Sequence, residues 1–199
     1  MKTYLVRRSG IAAGATELRA ALTRLRSFEE EAPMLPVRWL HSYALREADG
    51  CFGLACVFQA DSRRTLERHA LLTRLPAQEI LPVAATVMAR RFAPTMVHLV
   101  RRRRFWRSAT ELDRSAAMSH LIADEEMPRA VSWLRSYSVH EDDATLGTFC
   151  LFQAVSAEAL REHADRVAMP ADEIVPVIGR IAFREEPAPQ PDNGSAIPA

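Results

Sequence analysis

An internal repeat is the feature of this sequence that most limits its possible folds. The segment Trp39–Tyr43, with the pattern Trp-Leu-x-Ser-Tyr, returns as Trp133–Tyr137, a shift of 94 residues. The segment Cys56–Ala60 returns as Cys150–Ala154 with the same shift, and the two copies align without a gap. A period this long exceeds the roughly 20 to 50 residues of a solenoid unit. It indicates a complete domain that was copied once.

The repeat divides the 199-residue chain into two expected domains, residues 1–93 and 94–185. Hydrophobic residues make up 48% of the chain and charged residues 26%, so each copy can bury a core of its own. Residues 186–199 are rich in proline and poor in large apolar side chains. Because such a segment cannot bury enough surface to fold, we expect a disordered tail there.

The charge balance and the cysteine count limit the expected partners and compartment. A formal net charge of +1 does not favour a surface built for nucleic acid, so nucleic acid is not expected as a partner. No apolar run approaches the roughly 18 residues of a membrane span, so no membrane association is expected. The three cysteines, Cys51, Cys56 and Cys150, are too few for a disulfide framework. We therefore expect a cytoplasmic protein.

Each copy carries the sequence signals of strand, helix, strand, strand, helix and strand. Residues 3–8 are β-rich, and Val37–Leu45 alternates with the period of two that is typical of a strand. Phe52–Ala60 predicts the second, more apolar strand of a hairpin. Ser62 and its counterpart Ser156 are the expected N-caps of the second helix in each copy.

This βαββαβ order predicts the ferredoxin-like unit, an antiparallel four-stranded sheet with both helices on one face. The other face needs a cover, and a duplicated unit can supply it by packing its two sheets together. We therefore predict an α+β protein in which two ferredoxin-like repeats form an intramolecular, pseudo-dimeric α+β barrel. Because this pseudo-dimer lies within one chain, the protein can exist as a monomer.

An aromatic stripe is the first candidate for a functional site. Side chains two residues apart on a strand point to the same side of a sheet. The candidates for binding a cofactor or small molecule share one such predicted face in each copy: Trp39, His41, Tyr43, Trp133, Arg135 and Tyr137. A mostly apolar cavity with a few polar groups suits a small molecule. Ordinary packing of large aromatic residues is the alternative interpretation.

Two repeated histidines and two repeated glutamates are candidates for metal ligation: His69, His163, Glu79 and Glu173. Each histidine is expected at the edge of the buried helix face, and each glutamate at the entry to the last strand. Imidazole and carboxylate groups suit nickel, zinc and other transition-metal ions. A structural role, in which the histidines hydrogen-bond the chain, is the alternative. The strand cysteines Cys56 and Cys150 are expected to be buried and inert.

The run Arg101–Arg107 is the strongest charge feature of the chain. It precedes a predicted helix, so its arginines and the first amides of that helix could hold a phosphate or carboxylate. Phe105 and Trp106 could instead stack on the bases of a nucleic acid. A solvated loop is the third interpretation, because charge runs usually indicate exposure.

Together these motifs resemble a bacterial family of small single domains of unknown function that includes a nickel-binding protein. The resemblance rests on Trp133–Tyr137, Cys150–Ala154, Ser156 with His163, and Pro170–Val177, and on their counterparts in the first copy. It implies a ferredoxin-like fold that dimerises into an α+β barrel. It also implies the binding of nickel or another divalent transition metal.

Three functions agree with these observations. The first is a metal-binding protein whose partner is a metal ion held by the repeated histidines and glutamates. The second is an enzyme or small-molecule binder that uses the central barrel cavity, as oxygenase-like or cyclase-like α+β barrels do by fold analogy. The third is a structural or protein-interaction role. The sequence names no catalytic residue, but the difference between His41 and Arg135 at matching positions would suit one asymmetric ligand.

Overall fold

The computed structural model describes residues 1–31, 35–88 and 96–184. The first repeat consists of β1 (Lys2–Ala12), α1 (Ala15–Glu31), β2 (Val37–Arg46), β3 (Phe52–Ala60), α2 (Arg63–Leu72) and β4 (Glu79–Met88). The second consists of β5 (Met96–Trp106), α3 (Ala109–Leu121) with a π-helical turn (Ile122–Glu126), β6 (Val131–His140), β7 (Leu146–Ala154), α4 (Ala157–Arg166) and β8 (Glu173–Ala182). The expected tail, residues 186–199, and the expected boundary between residues 93 and 94 lie outside the described residues.

Local sequence signals account for most of these elements. Ser62 Oγ accepts a hydrogen bond from the Thr65 amide at 3.2 Å, and Ser156 Oγ accepts one from the Ala159 amide at the same distance, so both predicted N-caps are confirmed. The first strand is longer than the predicted residues 3–8. Its pairing with β3 resumes at Ala12 after an irregularity, which extends the ladder beyond the apolar run that marks it in the sequence.

The eight strands form a closed barrel in the order β1-β3-β2-β8-β5-β7-β6-β4, with β4 paired back on β1. Each repeat contributes one antiparallel sheet, and the two sheets join where β2 pairs with β8 and β4 pairs with β6. The predicted α+β fold, two ferredoxin-like repeats joined as an intramolecular barrel, is confirmed. In the described part of the chain, no helix is both long and apolar enough to span a bilayer.

The buried side chains form three clusters. One lies inside the barrel and takes residues from all eight strands, including Leu5, Leu45, Val139 and Phe149. The other two lie on the outer faces of the sheets, each between the sheet of one repeat and the helices of that repeat. The interior cluster covers the sheet faces turned away from the helices. Closing the barrel also pairs the four strands that would otherwise be sheet edges.

Candidate functional site

The predicted aromatic stripe is divided between the two sides of the sheet. Trp39 belongs to the helix-side core, where its indole stacks on Phe183 with ring centroids 5.1 Å apart. Leu40 and Tyr43 point into the barrel. The register shifts between Trp39, opposite Phe58, and His41, opposite Val57. Because such a bulge places one extra residue in the strand, it reverses the alternation, and the prediction that Trp39 shares a face with His41 and Tyr43 is wrong.

The second repeat contains the same irregularity. The register of β6 shifts between Trp133 and Arg135, so Trp133 packs on the helix side while Leu134 packs against the barrel interior. The predicted common face of Trp133, Arg135 and Tyr137 is wrong for the same physical reason. Both tryptophans are therefore part of the sheet-to-helix packing.

The remaining four members of the stripe converge inside the barrel. The Tyr137 hydroxyl lies 3.0 Å from His41 Nε2 and 3.4 Å from the Tyr43 hydroxyl, and it accepts a hydrogen bond of 2.9 Å from Arg135 Nη1. Burial, together with the nearby Arg180 and Arg135 cations, lowers the pKa of His41 to about 3. The imidazole is therefore neutral at pH 7. Buried apolar residues from all eight strands share the barrel interior with this group.

The two candidate ligand glutamates belong to an ion-pair network with arginines of β1 and β5. Glu79 accepts from Arg101 at 3.2 Å and from Arg103 at 2.8 Å, and Glu173 pairs with Arg7 at 2.5 Å. Although burial opposes ionisation, Arg101 and Arg103 hold the pKa of Glu79 below its ordinary value. Each carboxylate is thus already neutralised by guanidinium groups.

The same network shows where the arginine run lies. Arg101 through Arg104 are part of β5, so the interpretation of these residues as a solvated loop is wrong. Arg101 and Arg102 are buried, whereas Arg103 and Arg104 are exposed. Arg102 is not part of the ion-pair network. Its Nε donates to the Met169 carbonyl at 3.2 Å, on the helix side of the sheet.

The two helix histidines occupy matching positions but have different surroundings. His69 packs edge-on against Phe28 and Phe58, and its Nδ1 is buried without a hydrogen-bond partner among the described residues. His163 lies beside Phe152, and its Nε2 donates to the Ser119 carbonyl at 3.1 Å, while its Nδ1, like that of His69, is buried without a partner among the described residues. The histidines and the glutamates therefore belong to different layers of the molecule. Within the residues described, no three His, Cys, Asp or Glu side chains form a group that could hold a metal ion.

A cavity of about 380 Å³ opens beside His69 in the first repeat. Its walls come from α1, the start of β2, α2 and the chain after β8. The residues that line it are Met1, Phe28, Glu29, Leu35, Pro36, Val37, Arg38, His69 and Arg184. Apolar side chains form most of this lining. The polar groups of the lining are one imidazole, one carboxylate and two guanidinium groups.

Glu29 is the acidic group of this cavity, and its two oxygens differ. Oε1 accepts from the Trp39 amide at 2.6 Å and from the Arg184 guanidinium. Oε2 is buried and has no hydrogen-bond partner in the described part of the chain. Burial, with a smaller effect of the Arg8 cation, lowers the pKa of His69 to about 4, so the imidazole in this cavity is neutral at pH 7.

The second repeat does not reproduce this arrangement. The positions that match Phe28 and Glu29 are Ile122 and Ala123, which begin the π-helical turn and are buried in the core of that repeat. His163 has a hydrogen-bond partner, Ser119, on its Nε2. The carboxylate is thus specific to the first repeat. Sequence reasoning missed Glu29, Arg38 and Arg184, although the change from Glu29 to Ala123 between aligned copies was a usable signal.

The repeated cysteines lie in a hydrogen-bonded group on the helix side of each sheet. The Trp39 indole donates to Ser42 Oγ at 2.8 Å, and the Trp133 indole donates to Ser136 Oγ at 2.7 Å. Ser136 Oγ in turn lies 2.9 Å from the sulfur of Cys150. Cys56 and Cys150 are buried free thiols, and burial raises the pKa of Cys56.

Comparison with known proteins gives one family and a set of distant folds. The family described as nickel-responsive protein SCO4226-like matches residues 99–177, which confirms the resemblance for the second repeat. No curated protein matches the chain.

Two of the similar solved structures are an anthrone oxidase-like protein and a mutant chlorite dismutase from Candidatus Nitrospira defluvii. Each is 12% identical to this chain, with TM-scores of 0.45 and 0.47. The alignment covers 90% of this chain and 92% of the first structure, and 91% of this chain and 90% of the second.

Proposed function

We propose, on the premise that the second repeat matches the nickel-responsive SCO4226-like family, that this chain binds one divalent transition-metal ion beside His69 in the first repeat. The observation that supports this site is a pair of buried polar atoms that have no hydrogen-bond partner. His69 has a buried nitrogen without a partner, and Glu29, which lines the same cavity, has a buried oxygen without one. Buried polar atoms are usually satisfied, so two unpaired atoms on residues that line one cavity favour a ligand there.

The chemistry of the two donors suits such an ion. Imidazole and carboxylate groups bind nickel, zinc and related ions. A metal ligand must be deprotonated, and the low pKa of His69, about 4, keeps its lone pair available at neutral pH. Glu29 would contribute Oε2 while Oε1 keeps its bonds to the Trp39 amide and to the Arg184 guanidinium.

The other residues expected as ligands are less favourable. Glu79 and Glu173 would have to leave Arg101, Arg103 and Arg7, which costs the Coulomb attraction of a partly buried network. His163 would bring an imidazole without an acidic neighbour at the position of Glu29. We therefore propose one metal ion per chain although the domain is duplicated.

Calorimetric titration with nickel is expected to give one ion per chain and a Kd tighter than about 100 μM. His69→Ala and Glu29→Gln should each weaken binding at least about tenfold, because each removes a proposed ligand. His163→Ala is the matched control, since it deletes the equivalent buried imidazole of the other repeat. Its affinity and stoichiometry should equal those of the original chain.

Two outcomes would contradict this proposal. One is a stoichiometry of two ions that falls to one in His163→Ala. The other is an affinity that does not change in His69→Ala, provided that the circular dichroism spectrum of that variant shows a folded protein.

A small-molecule site inside the barrel is the second candidate function, favoured by the convergence of the polar groups of His41, Tyr43, Arg135 and Tyr137 among buried apolar side chains. A ligand held there would lose affinity in Tyr137→Phe and keep it in His69→Ala. The two variants therefore separate the barrel from the cavity as the site of binding for any ligand.

A further inference from the structure

We infer that the end of the barrel at which Arg135 and Arg180 lie binds one small organic carboxylate per chain. This inference rests on the second candidate function, a small-molecule site inside the barrel, and it does not involve the metal ion proposed beside His69. Three observations support it: the position of Arg180, the grouping of two cations around one buried imidazole, and the difference between the two repeats at the matching positions.

Arg180 lies near the end of β8, on the interior face of the barrel wall. In the ladder between β2 and β8 it is opposite Tyr43, whose ring belongs to the interior cluster. Directly opposed residues on antiparallel strands have their side chains on the same face of the sheet. The Arg180 side chain is exposed, and it forms no ion pair or hydrogen bond with another of the described residues. Its guanidinium group is therefore a cation that a ligand can reach from solvent.

Arg135 reaches the same end of the barrel from the other junction between the repeats. It lies on β6 opposite Met88 of β4, and its Nη1 donates to the Tyr137 hydroxyl at 2.9 Å. Burial is the main cause of the low pKa of His41, and the Arg180 and Arg135 cations lower that pKa further. Both guanidinium groups thus lie close enough to repel a proton on the same ring.

The charge and the surface at this end of the barrel favour an organic anion. Two like charges near one buried ring repel each other, and a bound anion would reduce that repulsion. A carboxylate suits guanidinium groups because its two oxygens accept hydrogen bonds from their N–H groups. Met88, which is 56% exposed, adds apolar surface for the carbon skeleton of a ligand. The expected ligand is therefore a small carboxylate with an apolar body.

The two repeats differ at both arginine positions. In the first repeat the counterpart of Arg135 is His41, which is neutral at pH 7, and the counterpart of Arg180 is Thr86. Thr86 is opposite Tyr137 in the ladder between β4 and β6, so it holds the equivalent place across the barrel. At these matching positions only the second repeat contributes positive charge. One asymmetric site, and one carboxylate per chain, is the expected result.

Benzoate and benzamide provide a matched pair of probes, because they share a ring and differ in charge. NMR titration of the full chain at pH 7 is expected to show that benzoate binds at 1:1 and at least about tenfold more tightly than benzamide. Arg180→Gln should abolish this preference, because it removes one of the two cations. Arg180 is exposed, so the circular dichroism spectrum of the variant should equal that of the original chain.

Arg38→Gln is the control, since it removes the same charge from an exposed residue that lines the cavity beside His69 and not the barrel. It should keep the preference for benzoate. The inference is overturned if benzoate does not bind the original chain, if the two compounds bind equally, or if the preference persists in Arg180→Gln or is lost in Arg38→Gln. If the compounds bind equally, Tyr137→Phe still shows whether they bind inside the barrel, because it should then weaken both. Failure of the carboxylate inference and failure of the barrel site are therefore distinguishable.

Discussion

Replacing Arg101 with methionine is expected to lower the free energy of unfolding at pH 7 by about 3 to 5 kcal/mol, the usual cost of leaving a buried charge without its partner. The Arg101 side chain is 0% exposed and pairs with Glu141 at 2.7 Å and with Glu79 at 3.2 Å. Its guanidinium also lies over the Phe149 ring at 4.3 Å. Methionine fills much of the volume but leaves two partly buried carboxylates facing each other. Equilibrium unfolding in urea measures the change.

Arg103→Met is the control for this prediction. Arg103 pairs with Glu79 and Glu173 from the same network, but its side chain is 39% exposed. Solvent screens an exposed pair, so we expect a loss of about 0 to 1 kcal/mol. Equal losses of unfolding free energy in the two variants would contradict this prediction, because they would show that burial does not determine how much each arginine stabilises the fold.

Lowering the pH from 7 to 4.5 is expected to destabilise the chain through His41 by about 2 to 3 kcal/mol. The pKa of His41 is about 3 in the folded barrel, because of burial and the nearby Arg180 and Arg135, and about 6.5 in an unfolded chain. Between these values the unfolded chain binds a proton that the folded chain does not. The stability contributed by the neutral imidazole is therefore complete above pH 6.5 and is lost as the pH falls towards 3.

His41→Phe isolates this contribution from other groups that titrate in the same range. Phenylalanine keeps a buried ring beside Tyr43 but cannot bind a proton. The free energy of unfolding of the variant should fall by about 2 to 3 kcal/mol less than that of the original chain between pH 7 and 4.5. Parallel pH profiles for the two proteins would contradict the assignment of a buried neutral histidine.

The fold could be predicted because the repeat fixed the element order twice. Trp39–Tyr43 and Trp133–Tyr137 gave the alignment, and Ser62 and Ser156 marked the same helix start in both copies. Closure followed from the need to cover one face of each sheet. The bulges in β2 and β6 were not predictable. The alternation in the sequence looks unbroken across the extra residue of each strand. One extra residue in each copy places the tryptophan of that copy on the helix side of the sheet.

The arginine run was misinterpreted for a different reason. Arg101 is buried because Glu79 and Glu141 reach it from β4 and from the chain after β6, and these partners are 22 and 40 residues away in sequence. A local charge pattern contains no information about such partners. Only the barrel topology brings them together.

The candidate site was predicted in part. His69 was recognised as a candidate ligand, but Glu29 was hidden among the charged residues at the end of α1, where glutamates are ordinarily exposed. The two side chains meet the same cavity because α1 and α2 pack on one sheet, and Arg184 arrives from the opposite repeat. The cavity thus depends on packing between elements that are distant in sequence. It also depends on Glu29, which aligns with Ala123, and a hydrophobic pattern does not show which of two such differing residues has a function.

Anomalous diffraction at the nickel absorption edge, from crystals of the nickel-loaded chain, tests the central proposal most directly. One strong anomalous peak per chain is expected, within coordination distance of a ring nitrogen of His69 and of Glu29 Oε2. A peak held instead by Glu79, Glu173 or His163, or two equivalent peaks related by the repeat, would contradict it.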